Sequence, residues 1–197
     1  MTKRINFRYR SVVIGVSAGG LSALTRILPR LDKGLGLSVL IVQHLGTASD
    51  DFLVRHFRQM CRLAVVEAED KAPIEPGTIY FAPPNYHLLV EPDQTIALST
   101  EGPVNYSRPS IDLLFESAAD AFGQALIGVI LTGANSDGSR GMARIKRKGG
   151  LAIVQSPETA EADAMPKAAL NRADIDLILS LDQISNHINQ LSLQELP

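Results

Sequence analysis

"SVVIGVSAGGLSAL", residues 11–24, decides how this chain is read. Ser11–Val16 is an apolar run without polar alternation; it breaks at Ser17 among glycines and resumes with helical spacing at Leu21 and Leu24. A strand that is apolar on both faces must be covered on both, which is the condition of a parallel strand in an α/β sheet. The polar residue at its carboxyl end then stands where such sheets bind ligands. On its own surroundings Ser17 fits a turn residue, a phosphate contact or a nucleophile equally.

The same kind of run recurs outward from this point. "LSVLIVQ" (37–43), "LIGVILT" (126–132), "LAIVQ" (151–155) and "IDLILS" (175–180) alternate with helical patterns such as "LSALTRILPRL" (21–31) and "DDFLVRHFRQM" (50–60). The alternation predicts a doubly wound α/β fold: a mostly parallel sheet with helices on both faces. One interval departs from it. "AVVEAED" (64–70), the Pro76-Gly77 turn, "TIYFAP" (78–83), "HLLVE" (87–91) and "TIALST" (95–100) leave no room for a helix and are expected to form antiparallel hairpins, with a tight turn at Glu91 to Gln94. From Asp182 onward an amphipathic helix is expected to end the chain.

Composition bounds the rest. With 197 residues, 45% apolar, and 21 acids against 19 bases, the chain is read as a single domain, with a core over about 11–180 and a C-terminal helix and tail over 181–197. A formal net charge of −2 gives no basic field for nucleic acid, and Arg140, Arg144, Lys146, Arg147 and Lys148 are expected to be a solvated helix face. The single cysteine, Cys61, allows no intrachain disulfide and fits a reducing, cytoplasmic compartment. The basic "MTKRINFRYR" start imitates a secretion signal, but glycines interrupt the apolar segment behind it. No run approaches the ~20 apolar residues of a spanning helix, so membrane insertion is not expected.

Three polar residues follow strand-like runs: Ser17, His44 after "LSVLIVQ", and Asp137 in "TGANSDGSRG" (132–141). They supply a nucleophile, a general base and an acid to orient the base. "GVSAG" (15–19) also meets the G-x-S-x-G elbow pattern, in which small neighbours let the chain turn sharply around the nucleophile. The ordinary α/β-hydrolase order, serine then acid then histidine, fails, because only His187 follows Asp137 and it lies in the terminal helix pattern. His56 and His87 have no partners at metal-ligand spacing, and neither a metal nor another cofactor is expected. Two readings of another class stay open: a phosphate- or nucleotide-binding module, although Ser17 would obstruct close pyrophosphate approach, and a catalytically idle signalling domain.

The motifs "IGVSAGG" (14–20), "VQHL" (42–45), "YFAPPNYHLLV" (80–90), "RPSIDLLFESAA" (108–119), "GVILTGANSDGSRGM" (128–142), "AIVQ" (152–155) and "AMPKAAL" (164–170), in this order, resemble the catalytic domain of CheB-type chemotaxis methylesterases over residues 11–180. The resemblance implies a protein-glutamate methylesterase that hydrolyses γ-glutamyl methyl esters on the cytoplasmic helices of methyl-accepting chemoreceptors, releasing methanol. In some members it also implies deamidation of glutamine. It implies Ser17 as nucleophile, His44 as base, Asp137 as the residue orienting the histidine, and the backbone N–H of Ala134 as an oxyanion donor. Arg108 is expected to help hold the acidic receptor segment; its alternative is an ordinary loop arginine that bridges carbonyls. Ala18 stands where some relatives carry a threonine whose hydroxyl contacts the histidine, so the imidazole must be held in another way. Regulated relatives place a receiver domain ahead of this region. Here the catalytic motif starts at the N-terminus, which predicts a stand-alone enzyme, a fragment, or a member controlled by separate regulatory proteins.

Overall fold

A computed structural model describes residues 8–44 and 52–194. The nearly continuous apolar runs become strands buried along their whole length: β1 (Ser11–Val16), β2 (Ser38–Gln43) and β7 (Leu126–Ile130). With β3 (Ala64–Glu67), β4 (Thr78–Phe81), β8 (Leu151–Gln155) and β9 (Leu177–Leu179) they form one parallel sheet in the order β3-β4-β2-β1-β7-β8-β9. A separate antiparallel hairpin, β5 (His87–Val90) and β6 (Ile96–Ser99), lies outside it.

The alternation that the apolar runs hide in sequence appears in their packing. Val12, Ile14, Val39, Ile41, Ile127 and Val129 belong to one core, beneath α1 (Gly20–Ile27), α2 (Phe52–Arg58) and α6 (Leu181–Leu191). Val13, Leu40, Val42, Leu126 and Ile130 face the other core, beneath α3 (Ile111–Phe122), α4 (Ser139–Arg147), α5 (Ala164–Arg172) and the hairpin. Successive residues of a strand point to opposite faces, so each central strand serves both cores. The expected doubly wound class and the hairpin excursion are both present.

The interval 64–100 needs correction. β3 pairs in parallel with β4, and β4 in parallel with β2, so the first two strands of that interval extend the main sheet instead of forming a hairpin. The connection between them, residues 68–77, contains no helix and pairs with the hairpin instead. The Lys71 N–H donates to the Ile96 carbonyl at 2.8 Å, and the Ile96 N–H donates to the Ala72 carbonyl at 2.9 Å. The backbone groups that a helix would satisfy internally are satisfied by β6. Among the described strands only β5 and β6, joined through the turn at Glu91 to Gln94, pair antiparallel.

Helix α4 lies against α3, and its basic residues pair with acids there and beyond. Arg140 meets Glu116 and Arg144 meets Asp120, each at 2.7 Å, Lys148 meets Asp120 at 2.9 Å, and Lys146 meets Asp176 at 2.5 Å. The basic row is therefore largely neutralised by carboxylates, as a solvated, ion-paired face is. The two helices approach closely at Gly141, where a Cβ would lie 2.4 Å from the Phe115 Cβ and 3.1 Å from the Asp112 carbonyl oxygen. Backbone cannot yield as a flexible side chain does. Gly141→Ala is expected to destabilise the fold by about 1–3 kcal/mol through overpacking, read as a lowered urea midpoint at unchanged slope. Among the described residues no helix is long and apolar enough to cross a membrane.

Candidate active site

The chain winds outward from β1 in both directions, so the carboxyl ends of β1, β2 and β7 meet at a topological switch point, where open α/β sheets hold their ligands. The register that sets Val16 opposite Gln43 makes Ser17 and His44 the first residues past the paired ends of neighbouring strands. Backbone bonds fix both: the Ser17 N–H donates to the Thr132 carbonyl at 3.0 Å, and the His44 N–H donates to Val16 at 3.0 Å. The Gln43 amide, buried between them, donates through Nε2 to the Ser17 and His44 carbonyls, each at 2.9 Å.

Asp137 sits in the loop between β7 and α4, completely covered, and its carboxylate occupies the start of α3. Oδ2 accepts from the Ile111 N–H at 2.7 Å and from His44 Nε2 at 3.0 Å. Oδ1 accepts from the Ser110 hydroxyl and the Asp112 and Gly138 N–H groups at 3.1 Å, and from Asn105 Nδ2 at 3.3 Å. Unpaired N–H groups at a helix start favour a negative charge. Burial alone would push the Asp137 carboxyl up; the bonds from His44, Ile111 and Asp112 outweigh it and hold the group below the ordinary carboxylate value. Asp112 goes the other way: burial raises it, the Gly141 N–H opposes that, and the Asp137 charge nearby adds to the rise.

The sign for Asp137 gives a test. A carboxyl depressed in the folded state contributes stability above its unfolded value, and that contribution is lost as the pH falls through the folded value. The stability gap between the native chain and Asp137→Asn is therefore expected to be present at about pH 5 and to close as the pH falls below ~3.9, the ordinary aspartate value. Urea midpoints of the two proteins across that range check it.

An ionised Asp137 can only accept, so the neutral His44 ring carries its proton on Nε2 and leaves Nδ1 with a lone pair. Asn135 Nδ2 lies 3.4 Å from that Nδ1. Among the described residues no hydrogen bond joins the Ser17 hydroxyl to the imidazole. The structure thus brings His44 and Asp137 into contact and sets Ser17 on the adjoining strand end.

The loop that carries Asp137 also carries Ala134, which is exposed and whose N–H has no acceptor among the described residues. The preceding Gly133 is pinned on α5: its N–H donates to the Ala162 carbonyl, and its carbonyl accepts from the Met165 N–H, both at 2.9 Å. A Cβ at Gly133 would fall 1.9 Å from the Met165 sulfur and 3.0 Å from the Ser17 Cβ, so only glycine lets this loop lie against the serine.

Beside His44 opens a cleft of about 270 Å³ lined by Asn85, Tyr106 and Arg108, with Pro103, Ser107 and Pro109. Arg108 Nη1 donates to the Thr100 and Glu101 carbonyls at 2.8 and 2.9 Å, the tie of a loop arginine, and the residue lines the cleft as well. His87 is buried and structural: Nδ1 accepts from the Ser110 N–H and Nε2 lies 3.1 Å from the Gly102 carbonyl. His56 stacks on Phe52 in α2, and His187 lies on α6. Among the described residues no cluster of His, Cys, Asp and Glu could hold a metal ion.

Sequence reasoning did not single out Gln43, Asn105, Ser110, Asp112 or Asn135. Ser110 at the start of an apolar helical pattern carried a helix-start signal. Asn105, Asp112 and Asn135 depend on where the start of α3 and the loop before it meet the 132–139 loop, and Gln43 on the pairing of β1 with β2.

Comparison with known proteins follows the same outline. The CheB methylesterase family model matches residues 12–188. A protein of Leptospira interrogans is 50% identical over 177 residues, which cover 90% of this chain and 92% of that protein. The protein-glutamate methylesterase/protein-glutamine glutaminase of Symbiobacterium thermophilum is 35% identical over 92% of this chain but 50% of its own length, so the chain spans about half of that relative. The crystal structure of the Thermotoga maritima CheB methylesterase catalytic domain superimposes with a TM-score of 0.89 at 31% identity, covering 93% of this chain and 98% of that one.

Proposed function

The chain belongs to the CheB methylesterase family, and from that premise we propose that it hydrolyses γ-glutamyl methyl esters on the cytoplasmic helices of methyl-accepting chemoreceptors, and deamidates glutamine at sites of the same kind. Ser17 attacks the ester carbonyl while His44 Nδ1 takes its proton; the tetrahedral oxyanion is received by the Ala134 N–H. His44 returns the proton to the departing methoxide, which leaves as methanol, and water attacks the acyl-enzyme by the reverse sequence. On glutamine the leaving group is ammonia. Asp137 holds the imidazole in its tautomer and balances the imidazolium that forms.

One observation carries this reading: a carboxylate held ionised at the start of α3 is bonded to His44 at 3.0 Å, beside the strand end that bears Ser17. The cleft next to His44 supplies the place for substrate, with Arg108 facing the acidic receptor segment. A phosphate-binding module would have no use for a buried acid–base pair, and an idle domain none for its ionised acid. The site of action in this reading is cytoplasmic.

The test uses a methylated receptor cytoplasmic fragment and a fluorophosphonate probe. The purified chain is expected to release methanol from the fragment and to be labelled on Ser17, with loss of turnover in step with labelling. A chain that neither releases methanol nor is labelled overturns the reading; labelling confined to another serine removes Ser17 from it.

A further inference from the structure

We propose that Asn135 is a positioning residue that holds the base nitrogen of His44 in the resting enzyme, from the side opposite Asp137. The inference rests on the hydrolase reading for its kinetic consequences only. Asn135 Oδ1 accepts the Asp137 N–H at 3.0 Å, which fixes the amide so that Nδ2 faces His44 Nδ1 at 3.4 Å. An amide N–H pointed at Nδ1 is compatible with one neutral tautomer, the one with the proton on Nε2. Asp137 imposes the same tautomer through Nε2 at 3.0 Å. The ring is thus clamped at both nitrogens by one loop, the carboxylate of Asp137 on one side and the amide of Asn135 on the other.

The clamp answers a deficiency at the strand end. Ala18, next to the candidate nucleophile, offers no hydroxyl to the ring, and among the described residues Ser17 itself makes no hydrogen bond to it. Nδ1 is the nitrogen that must take the serine proton, so the Asn135 contact belongs to the resting state. As the Ser17 O–H turns to Nδ1, the amide gives way, and the proton passes from Oγ to Nδ1 with Nε2–H still bonded to Asp137. When Nδ1 is protonated, Asn135 presents a donor to a donor and cannot lock the imidazolium in place. The contact therefore selects the reactive tautomer without trapping the charged ring.

Two substitutions and one spectrum test this. Asn135→Asp keeps the oxygen that accepts the Asp137 N–H, so a purely structural role leaves turnover near the native rate. The positioning role predicts the opposite, because a carboxylate facing Nδ1 draws the proton there and abolishes the base: kcat falls on the order of 10³-fold or more with KM within about twofold. Asn135→Ala, which only frees the ring, is expected to lose about 10- to 100-fold in kcat, the usual cost of a loosened reacting group. The ¹⁵N spectrum of the imidazoles, with the His44 signals identified by their loss in His44→Ala, reads the tautomer without any substrate. The native chain is expected to show a pyridine-type Nδ1 and a pyrrole-type Nε2; Asn135→Asp should move Nδ1 to the protonated type. A native spectrum with protonated Nδ1 overturns the inference, as does Asn135→Asp with kcat within threefold of native or with its Nδ1 unchanged. The ¹⁵N result needs neither turnover nor fluorophosphonate labelling, so failure of the hydrolase reading and failure of the Asn135 role are told apart.

Discussion

Ser17→Ala and His44→Ala are each expected to lower kcat for methyl-ester hydrolysis by on the order of 10⁴ to 10⁶, and the double variant to lose no more than the worse single one. The reason is that in the proposed mechanism the two groups perform one step. Without the serine, His44 has no proton to receive; without the base, the hydroxyl attacks as a neutral and weak nucleophile. Their placement supports treating them as a unit, since they are the first residues past adjacent strands and the Gln43 amide is bonded to both carbonyls. Both variants are expected to keep the fold, because the backbone bonds of Ser17 and His44 use no side-chain atoms. Single-turnover assays on a methylated receptor fragment measure the losses. Multiplicative losses in the double variant would mean that the two residues act in separate steps, and a Ser17→Ala variant with near-native kcat would remove the nucleophile.

What the sequence made legible follows from which contacts are local. Strands β1, β2, β7 and β8 are apolar nearly throughout, and that run-length is a property of each segment by itself. Ser17 and His44 stood out for the same reason, as polar residues directly after apolar runs, and Asp137 as the acid in the glycine-rich turn that follows β7. β3 and β4 were misjudged because strand direction is set by the pairing partner. Nothing within 64–83 records that residues 68–77 satisfy their backbone against β6 and return the chain parallel to itself. The Asp137 cradle is hidden likewise: Asn105, Ser110 and Asp112 reach it only because the start of α3 meets the loop before α4. Seen with that neighbour in place, the charges explain themselves. Arg140 and Arg144 lie one helical turn apart and face Glu116 and Asp120, also one turn apart.

Asp137→Asn is expected to fold and to lose ~10⁴ in kcat, because the surrounding donors decide which way the new amide turns. Oδ1 accepts from Asn105, Ser110, Asp112 and Gly138, whereas Oδ2 accepts from His44 and Ile111. An NH₂ group placed at the Oδ1 position would meet the backbone N–H groups of Asp112 and Gly138 as donor against donor, although the Ser110 hydroxyl and the Asn105 amide can turn to accept. Placed at Oδ2 it meets only the Ile111 N–H and the histidine, and the histidine can adapt. The amide therefore keeps its oxygen at the Oδ1 position and donates to His44 Nε2, which must give up its proton and accept. The ring's remaining proton then moves to Nδ1, the nitrogen that has to take the proton of Ser17, and base catalysis stops while the site stays assembled. Asn135 opposes the change, since its Nδ2 would then face a protonated Nδ1, but turning one amide costs less than burying NH₂ against the donors at Oδ1. Steady-state kcat, with a urea midpoint to confirm folding, measures the outcome. Turnover within tenfold of native would show that His44 keeps its tautomer without the carboxylate and would take Asp137 out of the catalytic unit.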